Sequence, residues 1–170
     1  RSLGSASGLS TTASWTAESN QATAYFGNSV ASAGDVNGDG YSDVLVGAYQ
    51  YSNGETYEGR AYLYLGAAAG LSTTASWTAE SNQTSATFGY SVAGAGDVNG
   101  DGYSDVVVGA YSYDNGQSDE GRAYLFLGSA SGLSTTASWT AESNQATAWL
   151  GWSVASAGDV NGDGYSDVVV

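Results

Sequence analysis

Short apolar runs, separated by clusters of Gly, Asn, Asp and Ser, follow one another along the whole chain. Asp43-Val44-Leu45-Val46-Gly47-Ala48-Tyr49 reads as a strand buried on both faces. Arg60-Ala61-Tyr62-Leu63-Tyr64-Leu65 reads the same way, with the aromatic content that suits a pleated surface. Ser29 to Gly34 is a strand of small residues, suited to a place where several sheets converge, and the more polar stretch from Leu9 to Glu18 predicts a fourth strand anchored by Trp15. No stretch carries a 3.6-residue period. The pattern then starts again. Leu3, Leu65 and Leu127 open the same passage, so the period is 62 residues; units 3–64 and 65–126 agree at 48 of 62 positions, and 127–170 agrees with the first at 40 of 44. Arg1 and Ser2 fall outside the pattern and are expected to be a remnant of processing. Four strands per unit at a fixed period predict an all-β fold, a β-propeller of four-stranded antiparallel blades, with a β-solenoid or tandem sandwiches as the plainer alternatives.

The sharpest local motif, Asp-Val-Asn-Gly-Asp-Gly-Tyr-Ser-Asp, occupies 35–43, 97–105 and 159–167 without change. Side-chain oxygens at its positions 1, 3, 5 and 9, and the backbone carbonyl at position 7, can converge on one hard cation, while Gly at position 6 permits the turn. The expected ligands are Asp35, Asn37, Asp39, Tyr41 and Asp43, then Asp97, Asn99, Asp101, Tyr103 and Asp105, then Asp159, Asn161, Asp163, Tyr165 and Asp167. An irregular oxygen cage suits Ca²⁺, one ion per repeat and three in the chain, better than Mg²⁺. The plainer reading is a metal-free Asx-rich turn, in which the three Asp of each loop would repel one another uncompensated. A helical loop of the EF-hand or dockerin type is excluded, because position 12 is Val46 inside an apolar run and not an acid before a helix.

Composition narrows the function. The 170 residues include 3 Lys+Arg, 17 Asp+Glu, and no Cys or His, for a net charge of −14. That excludes disulfides, the usual zinc sites and His-dependent nucleophiles, and it removes any electrostatic basis for nucleic-acid binding. No apolar run is long enough for membrane insertion. The loops hold 9 of the 17 acids, so three Ca²⁺ would bring the net charge to −8. Sites of the weak affinity usual in extracellular modules would be empty at cytosolic calcium, which points to an extracellular or cell-surface setting.

Each unit resembles the FG-GAP repeat of integrin α-subunit propellers and their bacterial relatives. Phe26-Gly27 and Phe88-Gly89, replaced by Leu150-Gly151 in the third copy, precede the calcium loop, and Gly47-Ala48-Tyr49 and Gly109-Ala110-Tyr111 follow it with Tyr in place of the family's Pro. The resemblance covers 3–170. It implies a propeller, commonly seven-bladed, with calcium loops on the lower face and ligands on the upper, and strands A (29–35), B (43–49), C (60–65) and D (about 12–18 for the preceding blade). In that register residues 1–170 form a partial propeller, an incomplete ring, to be completed by more chain or by end-to-end self-association of copies.

Of the 14 differences between the first two units, nine lie in the D–A and B–C connections, at the end opposite the metal loops. The copy-specific residues there, Tyr25, Asn28, Tyr90, Trp149 and Trp152, all but Asn28 aromatic, are candidates for contact with a protein or glycan ligand, or else pack beside the Phe-Gly turn. Glu18, Glu80 and Glu142 recur in every unit and therefore read as structural rather than catalytic, and Arg60 and Arg122 are expected to pair with a nearby acid. The resulting expectation is a non-enzymatic, calcium-binding adhesion or recognition module. The alternatives are a lectin-type carbohydrate-binding propeller, the accessory propeller of a secreted hydrolase, and a purely structural or designed self-assembling repeat protein.

Overall fold

A computed structural model describes residues 4–6 and 8–170. Its strands, in chain order, are β1 (Gly4–Ser5), β2 (Gly8–Leu9), β3 (Val30–Gly34), β4 (Asp43–Ala48), β5 (Arg60–Tyr64), β6 (Trp77–Glu80), β7 (Ser91–Gly96), β8 (Asp105–Ala110), β9 (Arg122–Phe126), β10 (Trp139–Glu142), β11 (Ala155–Gly158) and β12 (Asp167–Val169). Among the described residues there is no helix, and so none long and apolar enough to cross a membrane. Two open, four-stranded antiparallel sheets run β3-β4-β5-β6 and β7-β8-β9-β10, followed by the pair β11-β12, while β1 and β2 pair separately. This is the up-and-down meander of propeller blades, two of them whole and a third represented by its first two strands.

Local chemistry explains the elements. Strand B, β4 and β8, is buried almost throughout because blades cover both of its faces. Strand A needs small residues because blades crowd together there: a Cβ on Gly94 of β7 would lie 2.6 Å from the Ser32 carbonyl oxygen of β3. Each A–B pairing slips by one residue beside the loop that follows, at Ser32/Gly34, Gly94/Gly96 and Ser156/Gly158, and this bulge turns the chain into the nine-residue motif. The core between the first two blades gathers Leu45, Leu63, Trp77, Phe88, Val106, Val108 and Phe126. Phe88 is fully buried, edge-on to Tyr124 at 5.1 Å and to Phe126 at 6.3 Å, so the Phe-Gly turn of one unit plugs the seam between blades.

One expected element is absent. Residues 12–18 form no strand, although their equivalents β6 and β10 do. Strand D exists by pairing with strand C of its own blade, as Trp77 of β6 does with Leu63 of β5. No strand C for residues 12–18 lies among the described residues, and the segment is anchored instead by Trp15, whose indole N–H donates to the Ser72 carbonyl at 2.8 Å and whose ring meets Tyr64 edge-on at 5.0 Å.

Candidate functional site

The three A–B loops have one geometry. The Asp35 carboxylate is wrapped by its own loop: Oδ1 accepts the amides of Gly38 and Asp39 at 2.7 and 3.1 Å, and Oδ2 accepts that of Gly40 at 2.7 Å. Asp39 Oδ1 accepts the Tyr41 amide at 2.9 Å, and its Oδ2 accepts the Asn37 side-chain amide at 3.0 Å. Asp43 closes the loop from below, fully buried, with Oδ2 on the Val36 amide at 2.9 Å and Oδ1 on the Gly66 amide at 2.8 Å. The same set recurs around Asp97, Asp101 and Asp105, and around Asp159 and Asp163, with Asp167 Oδ2 on the Val160 amide.

Electrostatics separate the base of the loop from its tip. Burial pushes the Asp43 carboxyl above its ordinary value, against the bonds from the Gly66 and Val36 amides, and the neighbouring Asp39 and Asp35 charges add to the rise; Asp105 behaves likewise. The bonds from backbone amides, that of Gly164 foremost, hold exposed Asp159 below its ordinary value. Among the described residues no three acidic side chains are gathered closely enough to form a ready metal-holding group. The donor set nevertheless fits a hard cation. A carboxylate offers about four lone-pair directions, of which Asp39 and Asp43 each use two and Asp35 three in these bonds.

The loops are also tied to one another. Ser104 accepts the Asp35 amide on its Oγ at 3.2 Å and donates its own amide to the Asp35 carbonyl at 2.9 Å, and the Tyr103 ring lies so close over Gly38 that a Cβ there would be 2.7 Å from Cε1. Tyr165 covers Gly100 in the same way, and the Ser166 amide bonds the Asp97 carbonyl at 2.8 Å. The seventh and eighth positions of the second and third loops thus clasp the loop before them.

At the opposite end the rim residues come together. Tyr25 stacks on Tyr49 (5.1 Å, 29°), and Tyr49 meets Tyr90 edge-on at 5.2 Å. Tyr90 contacts Tyr111 at 4.5 Å and Trp152 at 4.7 Å, and Trp152 stacks on Trp149 at 5.7 Å. Asn28 contributes no ring and ties neighbouring blades by donating from Nδ2 to the Tyr90 carbonyl at 3.2 Å. Tyr49 and Tyr111 were missing from the sequence-based candidates, although their replacement of the family's Pro was the available signal. Elsewhere Arg60 pairs with Glu80 and lies 3.9 Å over the Tyr51 ring, and Arg122 pairs with Glu142 over Tyr113 at 4.0 Å, as expected for structural acids.

The FG-GAP repeat model matches residues 26–64, 88–126 and 150–170, each span running from the Phe-Gly position through the loop into the strand after it. The chain belongs to the FG-GAP repeat family. It is similar to integrin alpha-PS2 of Drosophila melanogaster, 34% identical over 159 residues, covering 86% of this chain and 11% of that protein. It is 35% identical to integrin alpha-V of Gallus gallus over 159 residues, covering 88% of this chain and 15% of the relative. Integrin alpha-4 of Xenopus laevis is 32% identical over 151 residues, with 86% and 14% covered. The chain therefore spans only a small part of the length of these integrin alpha subunits. The FG-GAP match also explains the spacing of the site, because the Phe-Gly turn and the Asp-rich loop bracket strand A and so face opposite ends of one blade.

Proposed function

We propose that this chain is a non-enzymatic, calcium-stabilised recognition module of an extracellular or cell-surface adhesion protein, presenting its D–A and B–C loops to a protein or glycan partner. The observation that carries this reading is the division of labour between the two ends: three identical oxygen-lined loops at one, and an aromatic surface that differs from copy to copy at the other. Asp35, Asn37, Asp39, the Tyr41 carbonyl and Asp43, with their equivalents in the other two loops, would hold one Ca²⁺ per repeat. The ion supplies positive charge to a chain of net −14 and relieves repulsion within each loop. Asp43 fixes the base through the Val36 and Gly66 amides, Asp35 shapes the turn, and the clasp from Ser104 holds that turn against the next blade.

The 62-residue units act as blades of a larger ring, completed by more chain or by association of copies. Trp139 is 43% exposed whereas its equivalent Trp77 is 8% exposed, which supports a further unit packing there. Melting with calcium and with EGTA tests the central claim. With Kd about 10⁻⁴ M, ~10⁻³ M calcium stabilises by roughly 1.4 kcal/mol per site, and each kcal/mol moves Tm by about 2–4 °C in a domain of this size. A chelator-induced fall of several degrees is expected, and a shift under about one degree would refute loaded loops.

A further inference from the structure

We propose that the aromatic rim binds a neutral polysaccharide, with its rings stacking on the C–H faces of successive sugars. This rests on the recognition reading above and narrows it to one partner class.

Six rings drawn from three successive units form one ribbon: Tyr25, Tyr49, Tyr90, Tyr111, Trp152 and Trp149. Stacked pairs stand at both ends, joined through edge-to-face contacts. Tyr25 is 55% exposed although it stacks on Tyr49, so its ring neighbour leaves much of it open to solvent; Trp149 and Trp152, 47% and 48% exposed, stand in the third unit beside the place where a further unit would pack. The turn that carries the end rings is left-handed in every unit, with φ of 53° at Tyr25, 60° at Thr87 and 57° at Trp149, and so fixes where those side chains project.

Charge selects the partner. The D–A segments 19–28, 81–90 and 143–152 contain no Asp, Glu, Lys or Arg, in a chain with 17 acids, and consist of Ser, Thr, Asn, Gln, Ala, Gly, the rim residues and the inward Phe26, Phe88 and Leu150. A basic peptide finds no counter-charge on these segments themselves, since the acids of that end, Glu55, Asp114 and Asp119, are carried by the B–C loops beside them, and the overall −14 repels an anionic polymer. A neutral sugar chain fits both conditions. Its C–H groups, polarised by the attached oxygens, meet the negative faces of the rings, and its hydroxyls meet Tyr hydroxyls and flanking amides. Tyr in place of the family's Pro at 49 joins Tyr25 to Tyr90 across blades, and Tyr at 111 adds contacts with Tyr90 and both Trp beside the direct Tyr90–Trp152 contact.

Affinity electrophoresis of the full chain with calcium present, in gels containing hydroxyethylcellulose, galactomannan or anionic polygalacturonate, tests the assignment. Saturable retardation is expected in at least one neutral gel and none in polygalacturonate. Trp152→Ala and Tyr111→Ala should each weaken it roughly tenfold while circular dichroism and melting show the fold retained. Trp139→Ala, an exposed ring at the start of β10 and outside the ribbon and its loops, should leave it unchanged. If retardation persists in both ribbon variants, or appears only in polygalacturonate, the proposal fails. Gelatin immobilised on a sensor separates the two levels. Gelatin binding lost in Trp152→Ala, without neutral-gel retardation, overturns the polysaccharide and leaves the recognition reading standing. Absence of binding to every probe, with the chelator shift intact, removes both.

Discussion

Glu58 shows what burial does to one residue. It is fully buried, and Oε1 accepts the Asn53 and Glu55 amides at 2.6 and 3.4 Å while Oε2 has no protein partner. Glu120, its equivalent, is equally buried and has a protein partner on neither oxygen. Burial raises the Glu58 carboxyl above its ordinary value of 4.5 more than the Asn53 and Glu55 amide bonds and the Arg60 charge lower it, and the Glu80 charge adds to the rise. The sign follows: between the unfolded and folded values the fold holds a proton that the unfolded chain has released. Stability is therefore greatest below the unfolded value and declines as pH rises through the folded one. With EGTA present, Tm should fall from about pH 4.5 to 7 less steeply in Glu58→Gln than in the parent chain, Asp43 and Asp105 contributing the remainder with the same sign. Identical slopes would mean that Glu58 does not titrate in this window. The sequence marks Glu58 only as a neighbour of Arg60, because nothing local to residues 52–60 reveals that the next unit covers it.

At the scale of the element, the Gly-Ala-Tyr passage takes its glycine from a neighbour. Gly47 and Gly109 lie in strands with ordinary φ, so conformational freedom is not the reason for them. A Cβ on Gly47 would run into the Gly89 carbonyl oxygen, and one on Gly109 into that of Gly151, where the Phe-Gly turn of the following unit seats its backbone. Gly109→Ala must push one backbone off another, an overpacking cost of about 1–3 kcal/mol, which lowers Tm by several degrees. Gly54→Ala adds a Cβ where nothing lies within 4 Å and meets only the strain of φ +95°, so it should cost less. Equal melting of the two variants would contradict this account. The motif was legible as sequence; the oxygen atom that requires it belongs to another unit.

Across the whole molecule the units interlock at a fixed offset. Trp15 donates to the Ser72 carbonyl and Trp77 to that of Ser134, each 57 residues on, so every unit is finished by the one that follows. Stability in such arrays grows through nearest-neighbour interfaces. Appending residues 109–142 in sequence after Val170 would supply strands C and D of the third blade and a serine at the same offset from Trp139. The longer chain should melt several degrees higher, and acrylamide should quench Trp139 less, read as the difference from Trp139→Phe in each length. Unchanged quenching and Tm would mean that the units are independent.

The repeat period, the B and C strands and the oxygen-lined loops are legible in the sequence, where repetition, alternation and turn chemistry are read along the chain itself. Tertiary structure decided the rest. A strand at 12–18 fails without a strand C beside it, Glu58 is buried by residues from beyond its own loop, and Tyr49 and Tyr111 become part of a surface only when blades bring rings 41 residues apart into contact. Hydrogen-bonded edges and ring stacking are completed by partners that sequence separation hides, so propensity could name the pieces and only packing could join them.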